Sequence, residues 1–123
     1  MVGKSVIYYA IKTPFIVSDR DLVVSRDIIQ NYRGYNYLIF MNSIEHPSKP
    51  ESASVGVRAK MYSSFAFLRT LANGKTELSL INCLDVNGYI PDMVKNKMID
   101  GMASRIKGDL EAGFKDLRSK GLI

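Results

Sequence analysis

The sequence has 123 residues, of which 46% are hydrophobic and 24% are charged, and its formal net charge is +5. This length and composition suit a single globular domain spanning 1–123, and no segment approaches the roughly 18 apolar residues that a membrane span needs. The single Cys83 excludes an intramolecular disulfide, and the scattered basic residues form no tract typical of a nucleic-acid site, so we expect a cytoplasmic protein without a nucleic-acid partner.

The sequence predicts β-strands over most of the chain. β-branched and aromatic residues in alternation predict strands at Val6–Thr13, Leu22–Gln30, Tyr35–Ser43 and Thr76–Leu84. Residues 55–72 are also extended, with a kink expected near residues 62–64. Prolines and serines mark residues 46–54 as a loop. The dipeptide Asn73-Gly74 predicts a type I′ hairpin turn with positive φ at both central residues.

One long helix is predicted to follow the strands, from about Pro91 to Ser119. Pro91 suits the first turn and Asp92 favours the positive end of the helix dipole. Apolar residues then recur every four positions and form one apolar face, which needs a surface to pack on. The predicted architecture is therefore α+β, an antiparallel meander packed on a C-terminal helix.

The sequence offers few candidates for catalysis or metal binding. His46 is the only histidine and lies in a loop, without a nucleophile or acid held in an obvious arrangement beside it. Cys83 lies inside a predicted strand and is expected to be a buried thiol. No cluster of His and Cys residues has metal-ligand spacing. We expect neither an enzyme nor a resident cofactor.

Alternation within the strands predicts one enclosed surface that is apolar but dotted with polar groups. Its expected members are Ile7, Tyr9, Ile11, Leu22, Val24, Arg26, Ile28, Tyr35, Tyr37, Ile39, Met41, Ala59, Met61, Leu78, Leu80 and Asn82. An unpaired buried charge is expensive in a packed core, whereas a cavity for an amphipathic ligand uses a few polar groups to fix the head. An ordinary core, with Arg26 paired or reaching outward, also fits the pattern.

Four sequence blocks resemble successive parts of one family. They are "VIYYAIKTPFIVSDRDLVVSRD", "SIEHPSKP", "VGVRAKMY" and "LDVNGYIPDMVKNKM", in that order along the chain. Together they resemble START domains, the steroidogenic acute regulatory protein-related lipid-transfer domains. The resemblance runs from Ser5 to about Lys120. It implies a helix-grip fold in which a sheet and a C-terminal helix enclose a lipid.

The resemblance also implies roles for particular residues. Arg26 matches an arginine inside the cavity of sterol-binding members, although Ile7 stands where its acidic partner is expected. Met41 and Leu80 are apolar where ceramide-binding members are polar, which favours a phospholipid or a sterol. Phe15 and Tyr89 match aromatic residues at a membrane-facing tip. The predicted ligand-binding residues are Tyr9, Val24, Arg26, Tyr37, Met41, Leu80, Asn82, Met98, Met102 and Ile106.

The same resemblance covers somewhat more than the C-terminal half of the family domain. The family's N-terminal helix and first strands have no counterpart here, and in the family fold those strands pair with the last one. Thr76–Leu84 is then expected to be an exposed edge, which templates pairing with another chain. We therefore expect a lipid-transfer domain that contacts membranes transiently and forms a homo-oligomer through its last strand. The alternatives are a regulatory or assembly module that binds a partner chain at this edge, and an enzyme on a related scaffold.

Overall fold

The computed structural model describes residues 2–12, 17–52 and 56–123, apart from the side chains of residues 99, 102 and 103. Its elements are β1 (Gly3–Ile11), β2 (Arg20–Tyr32), β3 (Tyr35–Ser43), β4 (Val57–Arg58), β5 (Lys60–Thr70), β6 (Thr76–Asp85) and α1 (Asp92–Ser119). These elements confirm the predicted order of strands followed by one long helix. They form two compact units, residues 1–88 and 89–123.

The first unit is a six-stranded sheet. Neighbouring strands follow the order β1-β2-β3-β5-β6 and every pair along this path is antiparallel. The short β4 pairs with the start of β2 in parallel, placing Val57 beside Arg20 and Arg58 beside Asp21. At one end of the path β6 pairs only with β5 among the described strands, so it is an edge strand.

The hairpin turns at Arg33-Gly34 and Asn73-Gly74 differ in their backbone φ angles. At Arg33-Gly34 both φ angles are positive, +45° and +84°, as a type I′ turn requires. At Asn73-Gly74 only Gly74 has a positive φ, and Leu71 exchanges hydrogen bonds with Gly74 and Lys75 across a longer loop. The predicted type I′ turn at Asn73-Gly74 is therefore wrong, because this loop closes with a single left-handed glycine.

The predicted extended segment at 55–72 contains two strands. It is interrupted at Ala59, which separates β4 from β5. Within β5, a register shift between Met61 and Ser63 marks an irregularity of the β-bulge kind. A bulge bends its strand, so this shift coincides with the kink expected near residues 62–64.

The second unit contains the helix α1. Pro91 is its N-cap residue with φ −57° and ψ 142°, and Asp92 is the acidic residue of the first turn. At the other end, Lys120 forms an ion pair of 2.7 Å with Asp116. Asp92 is the charge that the helix dipole favours at the N-terminal end, as the sequence predicts, and Arg118 is the basic residue of the last turn.

Candidate functional site

The sheet has two chemically different faces, which the strand register defines. We call the face that carries Arg26 the arginine face; the opposite one, which carries Phe40, Phe65 and Phe67, is the aromatic face. Cross-strand partners share a face, so the register places on the arginine face Ser5, Ile7, Tyr9, Leu22, Val24, Arg26, Ile28, Tyr37, Ile39, Met41, Ser64, Ala66, Leu68, Leu78, Leu80, Asn82 and Leu84. None of these residues is acidic.

The strand residues predicted to bind a ligand therefore share one surface, but they differ in exposure. Tyr9, Tyr37 and Leu80 are 38%, 40% and 38% exposed. Val24 has no exposed surface and packs with Leu22 and Ala59 at the centre of the apolar cluster. Tyr35 is the exception among the expected members of the face: its ring lies 5.0 Å from that of Phe67, so it belongs with the aromatic residues of the other face.

Arg26 is the one charged side chain among those assigned to the arginine face. Its cross-strand neighbours are Ser5 on β1 and Met41 on β3, and Ile7 lies diagonally beyond Ser5. The Nε atom is buried and has no hydrogen-bond partner. Within the described chain no carboxylate pairs with this guanidinium. A buried donor without an acceptor costs on the order of 1–3 kcal/mol, so this atom is a place where a polar ligand group would be stabilised.

Two further polar contacts lie on the same face. The Ser64 hydroxyl donates a hydrogen bond to Oδ1 of Asn82 across the β5–β6 pair, and Ser64 is buried. Nearer to β1, the Tyr9 hydroxyl lies 3.9 Å from the sulfur of Met41. Sequence reasoning missed Ser64, because the bulge at 61–63 changes which side of β5 each residue faces. The bond orients the Asn82 amide and leaves its nitrogen as a donor.

The remaining predicted site residues lie in the second unit or outside the described chain. Met98 and Ile106 are partly exposed on α1, and the backbone of Met102 continues that helix. Tyr89 is 86% exposed just before the helix. Phe15 lies outside the described residues.

A network at the start of β2 was not predicted in detail. Arg20 is only 2% exposed, and its guanidinium donates hydrogen bonds to three backbone carbonyls, those of Ser18, Val86 and Asn87. Gly88 adjoins this site with φ +67°, and a Cβ there would lie 3.0 Å from Nη2 of Arg20. Glycine at 88 thus permits the left-handed backbone conformation and leaves room for the Arg20 guanidinium. Arg20 in turn links the segment after β6 to the start of β2.

Asp21 completes this network on the other face. Its carboxylate accepts hydrogen bonds of 2.6 and 3.2 Å from Arg58 and one of 3.1 Å from the Tyr8 hydroxyl. The hydrogen bond from Arg58 lowers the pKa of Asp21 despite its burial, and the same bond raises the pKa of Arg58. Burial, followed by the bond to Asp21, raises the pKa of Tyr8. These charges are mutually satisfied, so the cluster is structural.

An open groove of about 840 Å³ lies beside this cluster, away from Arg26. Its lining includes His46, Lys49, Glu51, Arg58 and Lys60. Charges of both signs line it, and Arg58 is already bonded to Asp21 and to the carbonyls of Lys49 and Pro50. We therefore consider the arginine face, which has an unmet buried donor, the better candidate for ligand binding.

His46 and Cys83 were the remaining candidates for chemistry in the sequence. His46 accepts a backbone hydrogen bond from Ser48 in its loop. Cys83 is exposed, so the expectation of a buried thiol is wrong; it lies on β6, which has a neighbouring strand on one side only in the described sheet. In the described ranges no group of His, Cys, Asp and Glu residues could hold a metal ion. No helix found there is long and apolar enough to cross a membrane.

Comparison with known proteins gives one family and several similar structures. Residues 1–117 match the family model described as START domain. The chain is similar to human STARD10 (TM-score 0.81, 22% identity) and to human StAR-related lipid transfer protein 5 (TM-score 0.76, 20% identity). It is also similar to the human StarD13 (DLC2) lipid transfer and protein localization domain, with TM-score 0.61 and 22% identity. No curated protein matches it in sequence.

These structural matches cover unequal shares of the two chains. They include 98%, 95% and 75% of this chain but 49%, 61% and 46% of the respective structures. The chain thus spans about half the length of the solved structures that it matches. At these identities the likeness shows the fold, which confirms the predicted helix-grip class.

Proposed function

The chain belongs to the START domain family, a family of lipid-binding and lipid-transfer modules, and we propose that it binds a lipid on the arginine face of its sheet. The observation that carries this proposal is the buried Nε of Arg26, which has no acceptor on a face made largely of apolar side chains. Such a surface fits an amphipathic ligand, whose tail is buried and whose head meets the few polar groups.

The two parts of the ligand would be held by different forces. Burial of the tail contributes about 0.8 kcal/mol per CH₂ group, so the apolar residues of the arginine face supply most of the affinity. The head is selected by Arg26 and by the amide nitrogen of Asn82. A phosphate gains more from Arg26 than a sterol hydroxyl does, because a guanidinium binds an anion through two charge-assisted hydrogen bonds. A phospholipid is the preferred ligand and a sterol the second.

Residues of the helix belong to the same proposal through the family resemblance. Met98, Met102 and Ile106 are apolar, and methionine adapts its shape to irregular ligands. Their part is to complete the apolar surroundings of the lipid within one domain spanning 1–123. The process is binding and release rather than bond making, in the cytoplasm and with transient contact to a membrane.

The experiment that tests lipid binding is extraction of the purified protein followed by mass spectrometry of the lipids, together with uptake of fluorescent phosphatidylcholine or sterol from liposomes. We expect a stoichiometric lipid, and we expect Arg26→Leu to lower phosphatidylcholine uptake about tenfold. Arg118→Leu is the matched control, because it removes the same charge from an exposed position. Reproducible absence of bound lipid and of lipid uptake refutes the proposal. Conversion of the added lipid into a reaction product, without a stoichiometric bound lipid, favours an enzyme.

Membrane contact is proposed to involve Tyr89 and Phe15. Tyr89 is largely exposed, and aromatic rings with a polar tip suit the interface between headgroups and acyl chains. Tyr89→Ala should reduce co-sedimentation with phosphatidylcholine liposomes by about two- to threefold. The control is Tyr62→Ala, at another exposed tyrosine. Equal losses for both variants would remove Tyr89 from the contact.

A second candidate function is assembly with a partner chain through β6. The observation that favours it is the free edge of this strand in the described sheet. An exposed edge presents backbone donors and acceptors to which another strand can bind. Light scattering after size-exclusion chromatography tests this function, and a monomeric mass at high protein concentration contradicts it.

A further inference from the structure

One row of side chains crosses the arginine face at right angles to the strands. Cross-strand pairing aligns, on successive neighbouring strands, Ser5, Arg26, Met41, Ser64 and Asn82. All of these residues except Met41 are polar. Residues directly opposite each other in an antiparallel pair have neighbouring side chains on one face, so these side chains form a continuous line. We call this line the polar row.

Apolar side chains border the polar row on both sides. On one side the register aligns Ile28, Ile39, Ala66 and Leu80, each two positions along its strand from the polar row. On the other side Ile7 lies opposite Val24. A lipid whose polar part lies over the row therefore meets apolar surface with its acyl chains on either side of that part.

Ser64 determines what the Asn82 amide offers to a ligand. Ser64 is buried, and its hydroxyl donates a hydrogen bond to Oδ1 of Asn82. Because the amide oxygen is engaged in this way, the Nδ2 group of Asn82 is left as a donor, and Asn82 is exposed. The polar row thus offers two separate donors to a ligand, a charged one at Arg26 and a neutral one at Asn82.

We propose that the ligand is a diacyl glycerophospholipid whose phosphate contacts Arg26 and whose ester carbonyl accepts a hydrogen bond from Nδ2 of Asn82. This inference rests on the proposed lipid binding and names the parts of the lipid that are recognised. At the usual spacing between strands, the Cα atoms of Arg26 and Asn82 are about 14 Å apart. The long arginine side chain can span part of this gap, and the glycerol joins phosphate and ester across the rest. The glycerol then lies over Met41, whose side chain adapts its shape.

Two separate donors distinguish lipids by the acceptor groups that they carry. A sterol has one hydroxyl, which can engage only one of the two donors. A dialkyl ether phospholipid has the phosphate but no carbonyl, so it leaves the Asn82 donor unpaired. A diacyl phospholipid provides an acceptor for each donor. Because a donor that loses water without gaining an acceptor weakens binding, the polar row favours the diacyl lipid.

The ester contact is tested by competition between two lipids that differ only in their carbonyl groups. Unlabelled dipalmitoyl phosphatidylcholine and its dihexadecyl ether analogue, each supplied in liposomes, are used to displace fluorescent phosphatidylcholine from the full chain. The wild type should bind the diester about fivefold more tightly, because an ether oxygen is a weaker acceptor than a carbonyl and leaves the Asn82 donor unpaired.

Variants assign this preference to the polar row. Asn82→Leu should bind both lipids equally, because it weakens binding of the diester alone. Ser64→Ala should reduce the preference to about twofold, since the Asn82 amide is no longer held in one orientation. Arg26→Leu should weaken binding of both lipids and keep the preference. Asn36→Leu is the matched control, because Oδ1 of Asn36 likewise accepts a hydrogen bond, from the Thr70 N–H, and Asn36 is exposed outside the polar row.

The outcomes separate the ester contact from lipid binding itself. Equal binding of both phospholipids by the wild type, or a preference that survives Asn82→Leu, overturns the ester contact and leaves lipid binding standing. Uptake of a sterol without uptake of either phospholipid does the same. A protein that takes up neither phospholipid nor sterol refutes lipid binding, and the ester contact with it.

Discussion

β2 carries the dipeptide Arg-Asp twice, and the two copies have opposite surroundings. At the start of the strand, Arg20 and Asp21 are 2% and 3% exposed and have partners for their charged groups. Further along, Arg26 and Asp27 are half-buried, and the buried atoms Nε of Arg26 and Oδ1 of Asp27 have no partner. The same two residue types on one strand are therefore structural at one place and unsatisfied at the other.

The difference arises from what the fold brings to each place. The start of β2 meets three other segments: the segment after β6 supplies carbonyls, β4 supplies Arg58 and β1 supplies Tyr8. Within the described sheet, the middle of β2 pairs with β1 and β3. These strands place Ser5 and Met41 beside Arg26, and Lys4 and Phe40 beside Asp27. A polar residue pair is thus informative about function where converging loops do not satisfy it.

The largest effect expected from this comparison is that of removing Arg20. In Arg20→Leu the carbonyls of Ser18, Val86 and Asn87 lose their donor at partly buried positions, and Asp21 remains bound to Arg58. We expect a loss of about 3–5 kcal/mol in the free energy of unfolding, measured by urea denaturation, because three hydrogen bonds from a buried charged side chain are lost together. Arg20→Lys should lose less, since one donor remains. A loss below 1 kcal/mol for Arg20→Leu would contradict its anchoring role.

A smaller but pH-dependent effect is expected for Asp21→Asn. At pH 7 the variant should lose about 2–3 kcal/mol, since it breaks a nearly buried ion pair with Arg58. Arg58 lowers the pKa of Asp21 in the folded protein, so the folded state binds this proton less readily than the unfolded state. The stabilisation is therefore complete above the ordinary carboxyl pKa of about 4 and is lost as the pH falls through the lower folded pKa.

The measurement is the free energy of unfolding of both proteins between pH 7 and pH 2. The difference between them should be constant from pH 7 to about pH 5 and should decrease at lower pH. Asp116→Asn is the matched control, because Asp116 forms an exposed ion pair with Lys120 and should contribute about 0–1 kcal/mol. A difference that increases on acidification would contradict the assigned pKa direction.

The sequence predicts this molecule well where the determinants are local. Period-two alternation places Tyr9, Arg26 and Asn82 on one face, and β3 begins and ends at the predicted residues. Tyr35 was assigned to the wrong face. Its side chain lies beside a strand hairpin in which Asn31 and Arg33 have positive φ angles, and simple alternation does not account for such a backbone.

The sequence does not predict which distant segments contact each other. Arg20 bonds a carbonyl 66 residues away and Asp21 bonds a side chain 37 residues away, so no local spacing indicates either partner. The absence of an acid beside Arg26 was anticipated from Ile7, but only through the family resemblance. Periodicity alone allowed Arg26 to be paired with an unseen carboxylate, and the register was needed to identify its actual neighbours.

The smallest loss of stability, and the sharpest contrast, is expected at Arg26. Arg26→Leu should not lower the free energy of unfolding of the lipid-free protein, because it removes a buried donor that has no acceptor and puts an apolar side chain on a largely apolar face. Phosphatidylcholine binds only the folded state, so it should raise the melting temperature of the wild type. It should raise that of Arg26→Leu less, and Arg118→Leu should behave like the wild type. If Arg26→Leu instead destabilises the lipid-free protein as much as Arg20→Leu does, Arg26 is a structural anchor and the contrast between the two dipeptides disappears.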